Sequence, residues 1–152
     1  MNDANLAEEA AEILLVEDNT DDVDFFVHTF EKAGIAARLH VIPDGAGALE
    51  FIFCTGRYAS RVPSNLLRVI ILDLKLPKVS GLEVLRRLKA DPQTRTIPVV
   101  VLSSSQEERD LLESYELGAN SYIVKPMEFE EFSKATQVIG QYWLQFNHPP
   151  RS

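Results

Sequence analysis

The chain has 152 residues, enough for one domain of ordinary size, and its 45% hydrophobic and 25% charged residues are typical of a soluble globular protein. No apolar run approaches the roughly 20 residues of a membrane span, and the acidic N-terminal segment lacks the regions of a signal peptide, so a cytoplasmic location is expected. The formal net charge of -8 works against a nucleic-acid-binding surface, and a single cysteine, Cys54, excludes an internal disulfide.

Five segments of the chain have strand character. Four short runs rich in valine and isoleucine predict strands buried on both faces: EILLV (12–16), LRVIILDL (67–74), IPVVVL (97–102) and SYIVK (121–125). A fifth, less apolar segment is ARLHVIPDG (37–45), where the alternation around Leu39 and Val41 suggests a strand nearer the sheet edge.

Helical spacing of apolar residues fills the segments between these strands. It predicts helices over 23–33 ending at Gly34, 46–53 before Gly56, 82–88 stopping at Asp91-Pro92, 107–117 ending at Gly118, and a long last helix. In that last helix one apolar stripe comprises Phe129, Phe132, Thr136, Ile139, Trp143 and Phe146.

Strict alternation of strands and helices predicts an α/β fold with a single doubly wound, five-stranded parallel sheet and five helices. The flavodoxin-like strand order 2-1-3-4-5 fits best. We expect an N-terminal extension over 1–11, one domain over 12–147 and a C-terminal tail over 148–152.

Polar side chains follow the C-terminal ends of the predicted strands, where ligands bind in such sheets. Strand one delivers Glu17 and Asp18, strand three Asp73, strand four Ser103 and strand five Lys125. Clustered carboxylates favour a hard divalent cation, Mg²⁺ or Mn²⁺, and a carboxylate can attack phosphorus to give an aspartyl phosphate. Asp73 is the expected nucleophile, Glu17 and Asp18 hold the metal, and Lys125 and Ser103 meet the phosphoryl oxygens.

Shortly after Asp18 the sequence has three further carboxylates, Asp21, Asp22 and Asp24. They open the next helix, where negative charge favours the positive end of the helix dipole. We interpret them as structural residues without a chemical role.

The motifs EILLVEDN (12–19), IILDLKLPKVSG (70–81), VVVLSSS (99–105) and YIVKP (122–126) resemble the receiver domain of two-component response regulators. The likeness extends from about Glu12 to about Tyr142. It implies phosphorylation of Asp73 by a partner histidine kinase, with Mg²⁺ bound through Asp18, Asp73 and the backbone carbonyl of Lys75, and with Glu17 assisting through water.

The resemblance also implies contacts of the phosphoryl group with backbone at Leu74, Lys75 and Ser104. The side chain of Lys75, two residues after the acceptor, either tunes dephosphorylation or is merely solvated.

A switch pair and a cis peptide bond are further implications of the resemblance. Ser103 would move toward the phosphoryl group and Tyr122 would turn inward behind it, although the family more often has threonine at position 103. Pro126 would form a cis bond that aims Lys125 into the cleft.

The segments GRYASRVPSNLLR (56–68), SYELGANSYIVKP (114–126) and YWLQFNHPP (142–150) look like those of small, stand-alone response regulators that partner bacterial phytochromes. That resemblance implies a phytochrome-type kinase upstream and an unknown protein downstream. Because the last helix is longer than the sheet requires, Tyr142, Trp143 and Phe146 are candidates for a twofold dimer surface that includes strand five.

The leading interpretation is therefore a single-domain signalling switch that is not an enzyme. The alternative is a Mg²⁺-dependent phosphatase with an aspartyl-phosphate intermediate, but haloacid-dehalogenase-like enzymes carry a DxD-type motif after the first strand, whereas Asp73 follows the third. A flavodoxin-like FMN carrier needs a hydroxyl- and glycine-rich loop after strand one, where EDNTDD (17–22) would instead repel phosphate.

Overall fold

Five parallel strands form one sheet in the order β2-β1-β3-β4-β5 in a computed structural model that describes residues 11–63 and 66–150. The strands are β1 (Glu12–Val16), β2 (Arg38–Ile42), β3 (Leu67–Leu72), β4 (Val99–Ser103) and β5 (Ser121–Val124). The predicted fold class and strand order are confirmed. Apart from Ala11, the expected N-terminal extension lies outside the described residues.

Five helices connect or follow the strands. They are α1 (Thr20–Lys32), α2 (Gly45–Phe53), α3 (Gly81–Ala90), α4 (Glu108–Glu116) and α5 (Phe129–Gln141). A short 3-10 turn (Gly56–Tyr58) follows α2, and a π-helical turn (Tyr142–Phe146) continues α5. No helix within the described ranges is long and apolar enough to cross a membrane.

The sheet is covered on both faces because its strands alternate their apolar side chains between two cores. Leu14 and Val16 of β1 face the side that α2 and α3 cover. Ile13 and Leu15 face the opposite side, which α1 and α5 cover. Helix α4 packs against α3 and β5. Helix α1 begins at the C-terminal end of the sheet, where Asp22 of its first turn contacts Lys125 after β5.

Side-chain caps begin the helices that border the site. Asn19 Oδ1 accepts a hydrogen bond from the Asp22 amide at 3.1 Å and starts α1, and Asp44 Oδ1 accepts from the Gly47 amide at 2.6 Å and starts α2. Ser80 Oγ caps α3 in the same way. These caps fix the chain where each strand leaves the sheet.

Two predicted helix features differ in the structure. Helix α2 ends at Phe53, the last residue of its predicted range, but the left-handed residue that caps it is Cys54, with φ of 57°, and not Gly56. The apolar stripe of the last helix is buried only in its middle, since Phe129 and Phe146 are 47% and 69% exposed. Phe129 instead meets the half-exposed Phe25 ring edge-on at 5.0 Å.

Candidate metal and phosphoacceptor site

The backbone ladder of the sheet continues for one residue beyond three strands and fixes the site residues. The Glu17 amide donates to the Ile42 carbonyl at 3.1 Å, and the Asp73 amide donates to the Val16 carbonyl at 3.1 Å. The Lys125 amide donates to the Ser103 carbonyl at 2.8 Å. Residues predicted from separate strand ends are therefore held at one edge.

Three carboxylates form a cluster at this edge. One oxygen from each of Glu17, Asp18 and Asp73 lies within 4.8 Å of the other two. Glu17 and Asp73 are 3% and 7% exposed, while Asp18 is exposed. Because all donors are oxygens and one side is open to solvent, the set fits Mg²⁺ or Mn²⁺, which take carboxylates and retain water ligands.

The ammonium group of Lys125 lies among the carboxylates. Its Nζ is 3.1 Å from Asp73 Oδ2 and 2.9 Å from Asp22 Oδ2, and it forms a third ion pair with Glu17 Oε1. Burial alone would lower the pKa of Lys125, but hydrogen bonds to Glu17 and Asp22 and the charge of Asp73 raise it above its usual range. Lys125 is therefore a fixed positive charge beside the Asp73 carboxylate.

Glu17 is the carboxylate most affected by burial. Desolvation raises the pKa of Glu17 to about 7, the hydrogen bond from Lys125 opposes that rise, and the nearby charge of Asp73 adds to it. The Asn19 amide also donates to Glu17 Oε2 at 3.2 Å. A second cation next to Glu17 would stabilise its ionised form.

Asp22 was missed as a site residue. The interpretation of Asp22 as a helix-opening residue alone is wrong, because its Oδ2 contacts Lys125 while its amide is capped by Asn19. Local spacing gave no signal for this contact, because Asp18 lies before the helix cap Asn19 and Lys125 is 103 positions away from Asp22. Asp21 and Asp24 are exposed near the start of α1, in agreement with the prediction that they open this helix.

The hydroxyl residues lie on β4 and the loop after it. Ser103 is fully buried and its Oγ accepts a hydrogen bond from the Ser105 amide at 3.3 Å, whereas Ser104 is exposed. The Tyr122 hydroxyl donates to the Ser105 carbonyl at 2.9 Å, and its ring packs against the core below. Tyr122 thus ties β5 to the β4–α4 loop, and the switch roles of Ser103 and Tyr122 stay predictions.

The loop after Asp73 has one buried and one exposed residue. Leu74 is buried and its carbonyl accepts from the Gly81 amide at 2.8 Å. The Lys75 side chain is exposed, and its amide lies 3.4 Å from Asp73 Oδ1. The Lys75 amide therefore faces the acceptor carboxylate, while metal binding by its carbonyl stays a prediction.

The predicted cis peptide bond before Pro126 is wrong. No peptide bond is cis in the part of the chain that the structure describes, so Lys125 and Pro126 are joined by a trans bond. Trans is favoured by about 0.5–1 kcal/mol for such bonds. Lys125 is already positioned by the hydrogen bond from its amide to the Ser103 carbonyl and by the contacts of its ammonium group with three carboxylates.

The three candidate dimer residues do not share one environment. Tyr142 and Phe146 are 49% and 69% exposed. Trp143 is half-buried, packs against the core on the α1 and α5 side, and meets the Tyr142 ring edge-on at 4.9 Å. A shared surface can therefore use Tyr142 and Phe146, whereas Trp143 is mainly a core residue.

Comparisons with known proteins agree with this fold and identify its family. The family model for the response regulator receiver domain matches residues 13–137. The probable methanogenesis regulatory protein FilR2 of Methanothrix harundinacea (strain 6Ac) is 39% identical over 144 residues, 95% of this chain and 90% of that protein.

Two solved structures are similar over 93% of this chain and 99% of their own. The phosphorylated cyanobacterial phytochrome response regulator RcpA has a TM-score of 0.87 at 34% identity. The Mn²⁺-bound form of response regulator Rcp1 has a TM-score of 0.86 at 35% identity. The chain belongs to the response regulator receiver domain family and is similar to phytochrome response regulators within it.

Proposed function

We propose that this protein accepts a phosphoryl group on Asp73 from a histidine kinase in a two-component phosphorelay. The observation that supports the proposal most directly is the position of the Asp73 carboxylate, which is 3.1 Å from the Lys125 ammonium and has an oxygen within 4.8 Å of one oxygen from each of Glu17 and Asp18. Transfer of a phosphoryl group to a carboxylate, which forms an acyl phosphate, requires a nucleophilic carboxylate beside a fixed cation and a set of metal ligands.

In the reaction, an oxygen of Asp73 attacks phosphorus, and the bond between phosphorus and the donor atom breaks, its electron pair leaving with the donor. Lys125 donates a hydrogen bond to the transferred group and offsets its negative charge. Glu17 and Asp18 would hold Mg²⁺ or Mn²⁺ with Asp73, and the bound ion supplies further positive charge for the phosphoryl oxygens.

The kinase proposed as partner is of the phytochrome type. Support comes from the name of RcpA, a phytochrome response regulator, whose structure covers 93% of this chain. We infer that the phosphorylated protein signals to another protein by a change in conformation, with Ser103 and Tyr122 as the switch pair. Catalysis would be limited to its own phosphorylation and dephosphorylation.

A homodimer is part of the proposal. Tyr142 and Phe146 expose aromatic surface on the π-helical turn, which continues α5 and contacts β3. Exposed aromatic residues of this kind are enriched where protein surfaces pair. A monomeric mass at micromolar concentration, with and without a phosphoryl mimic, would refute the dimer.

The phosphoacceptor assignment is tested with a small acyl-phosphate donor and Mg²⁺, followed by mass spectrometry of the intact protein. We expect wild type and the exposed-site control Asp24→Asn to gain one base-labile phosphoryl group, and Asp73→Asn to gain none. Labelling of Asp73→Asn, or no labelling of wild type, would overturn the assignment. Continuous turnover of a generic phosphate ester would instead favour a phosphatase.

A further inference from the structure

Lys125 has as many carboxylate partners as its ammonium group has protons to donate. The partners are Glu17, Asp73 at 3.1 Å and Asp22 at 2.9 Å. Two of these, Glu17 and Asp73, are also candidate metal ligands. Asp22 is the partner of Lys125 that lies outside the candidate ligand set.

We propose that Asp22 is a positioning residue that holds Lys125 and thereby reduces its competition with the divalent cation. The inference rests on the metal site of the proposed function. A cation bound by Glu17 and Asp73 would compete with Lys125 for these two carboxylates. A mostly buried ammonium left without an acceptor would be costly, so a remaining contact with Asp22 favours the metal-bound state.

The position of Asp22 is fixed by a closed ring of contacts. Glu17 Oε2 accepts from the Asn19 amide at 3.2 Å, and Asn19 Oδ1 accepts from the Asp22 amide at 3.1 Å. Asp22 Oδ2 then accepts from Lys125 Nζ, which also contacts Glu17. The first turn of α1 therefore presents the Asp22 carboxylate to Lys125 in a geometry set by the end of β1.

The proposal differs from a simple charge effect. Removing any nearby carboxylate weakens cation binding through lost Coulomb attraction. A role that acts through Lys125 must disappear when Lys125 is replaced, whereas a direct charge effect persists. A double-mutant cycle separates the two.

The test measures Mn²⁺ affinity of the 152-residue chain by calorimetric titration. The variants are Asp22→Asn, Lys125→Met and the double variant, with Asp21→Asn as a control that removes the same charge from the neighbouring exposed residue. Urea unfolding of each metal-free variant verifies that it is folded. The readout is metal affinity, not phosphorylation.

We expect Asp22→Asn to weaken Mn²⁺ binding by about tenfold relative to Asp21→Asn in the wild-type background, a coupling within the range for residues in one network. In the Lys125→Met background, Asp22→Asn should weaken binding no more than Asp21→Asn does. Equal losses in both backgrounds would overturn the positioning role. If wild type binds no Mn²⁺, the metal site itself fails and the inference fails with it.

Discussion

The backbone of Gly45 lies directly against Val79. A Cβ atom at Gly45 would stand 2.7 Å from the Val79 carbonyl carbon and closer still to its oxygen, and the Gly45 amide donates to the Pro77 carbonyl at 3.3 Å. The start of α2 therefore supports the loop between β3 and α3. That loop carries Lys75, whose carbonyl is the proposed metal ligand.

Replacing Gly45 with alanine should disturb both stability and metal binding. The added methyl group must displace backbone, and such overpacking costs about 1–3 kcal/mol. Because the displaced backbone includes the loop with Lys75, Mn²⁺ affinity should fall as well. Urea unfolding and calorimetric titration of Gly45→Ala measure the two effects.

Gly34→Ala is the matched control. Gly34 has φ of 68°, but nothing lies within 4 Å of a Cβ built on it. Alanine there should cost about 1–2 kcal/mol through backbone strain alone and leave Mn²⁺ affinity unchanged. Wild-type metal affinity in a folded Gly45→Ala variant would show that the loop position does not control the site.

The free energy of unfolding of the metal-free protein should decrease as pH rises, because of Glu17. In the folded protein burial raises the pKa of Glu17 from 4.5 to about 7. Between these values the unfolded chain loses the Glu17 proton while the folded protein keeps it, so rising pH favours unfolding. The contribution is fully present below about pH 4.5 and is lost as pH rises through about 7.

Urea unfolding across this pH window, with a chelator present, measures the effect. Glu17→Gln, which cannot ionise, should have a flatter stability profile than wild type, while a substitution of the exposed Glu31 to glutamine should leave the profile unchanged. Parallel profiles for wild type and Glu17→Gln would contradict the raised pKa.

Much of the site follows from sequence because topology brings strand ends together. An apolar run ended by charge gave β1 its bounds, Glu12–Val16, and the strand order then placed Glu17, Asp73 and Lys125 at one edge. Asp22 could not be assigned in the same way. Its contact with Lys125 spans 103 positions and depends on how α1 lies relative to β5.

Two other features depend on tertiary structure that residue patterns do not encode. The cis and trans isomers of the peptide bond before a proline such as Pro126 differ by only about 0.5–1 kcal/mol in an isolated chain, so packing in the folded protein decides between them. The stripe that includes Trp143 and Phe146 follows helical spacing, but the chain changes there to a π-helical turn that packs Trp143 against the core and leaves Phe146 exposed. Spacing alone therefore groups residues with different surroundings.

Removal of the Tyr122 hydroxyl should loosen the loop after β4. Tyr122→Phe loses the hydrogen bond to the Ser105 carbonyl and should cost about 1 kcal/mol. Hydrogen exchange at the amides of Ser104 to Glu107 should become faster. Tyr115→Phe, at a half-exposed tyrosine on α4, should change neither quantity. Unchanged exchange in Tyr122→Phe would show that other contacts hold the loop.

Truncation to alanine should lower the stability of the protein at Trp143 but leave it nearly unchanged at Phe146. Trp143→Ala removes a half-buried ring from the core beside α1 and α5 and should cost about 1–3 kcal/mol, less than a fully buried tryptophan. Phe146 is 69% exposed, so Phe146→Ala should change stability by no more than about 0.5 kcal/mol.

In the proposed dimer, however, Phe146→Ala should shift the sedimentation equilibrium toward monomer. A dimer that Phe146→Ala leaves intact would place the interface elsewhere, and a large stability loss in that variant would show that Phe146 packs against the protein's own core.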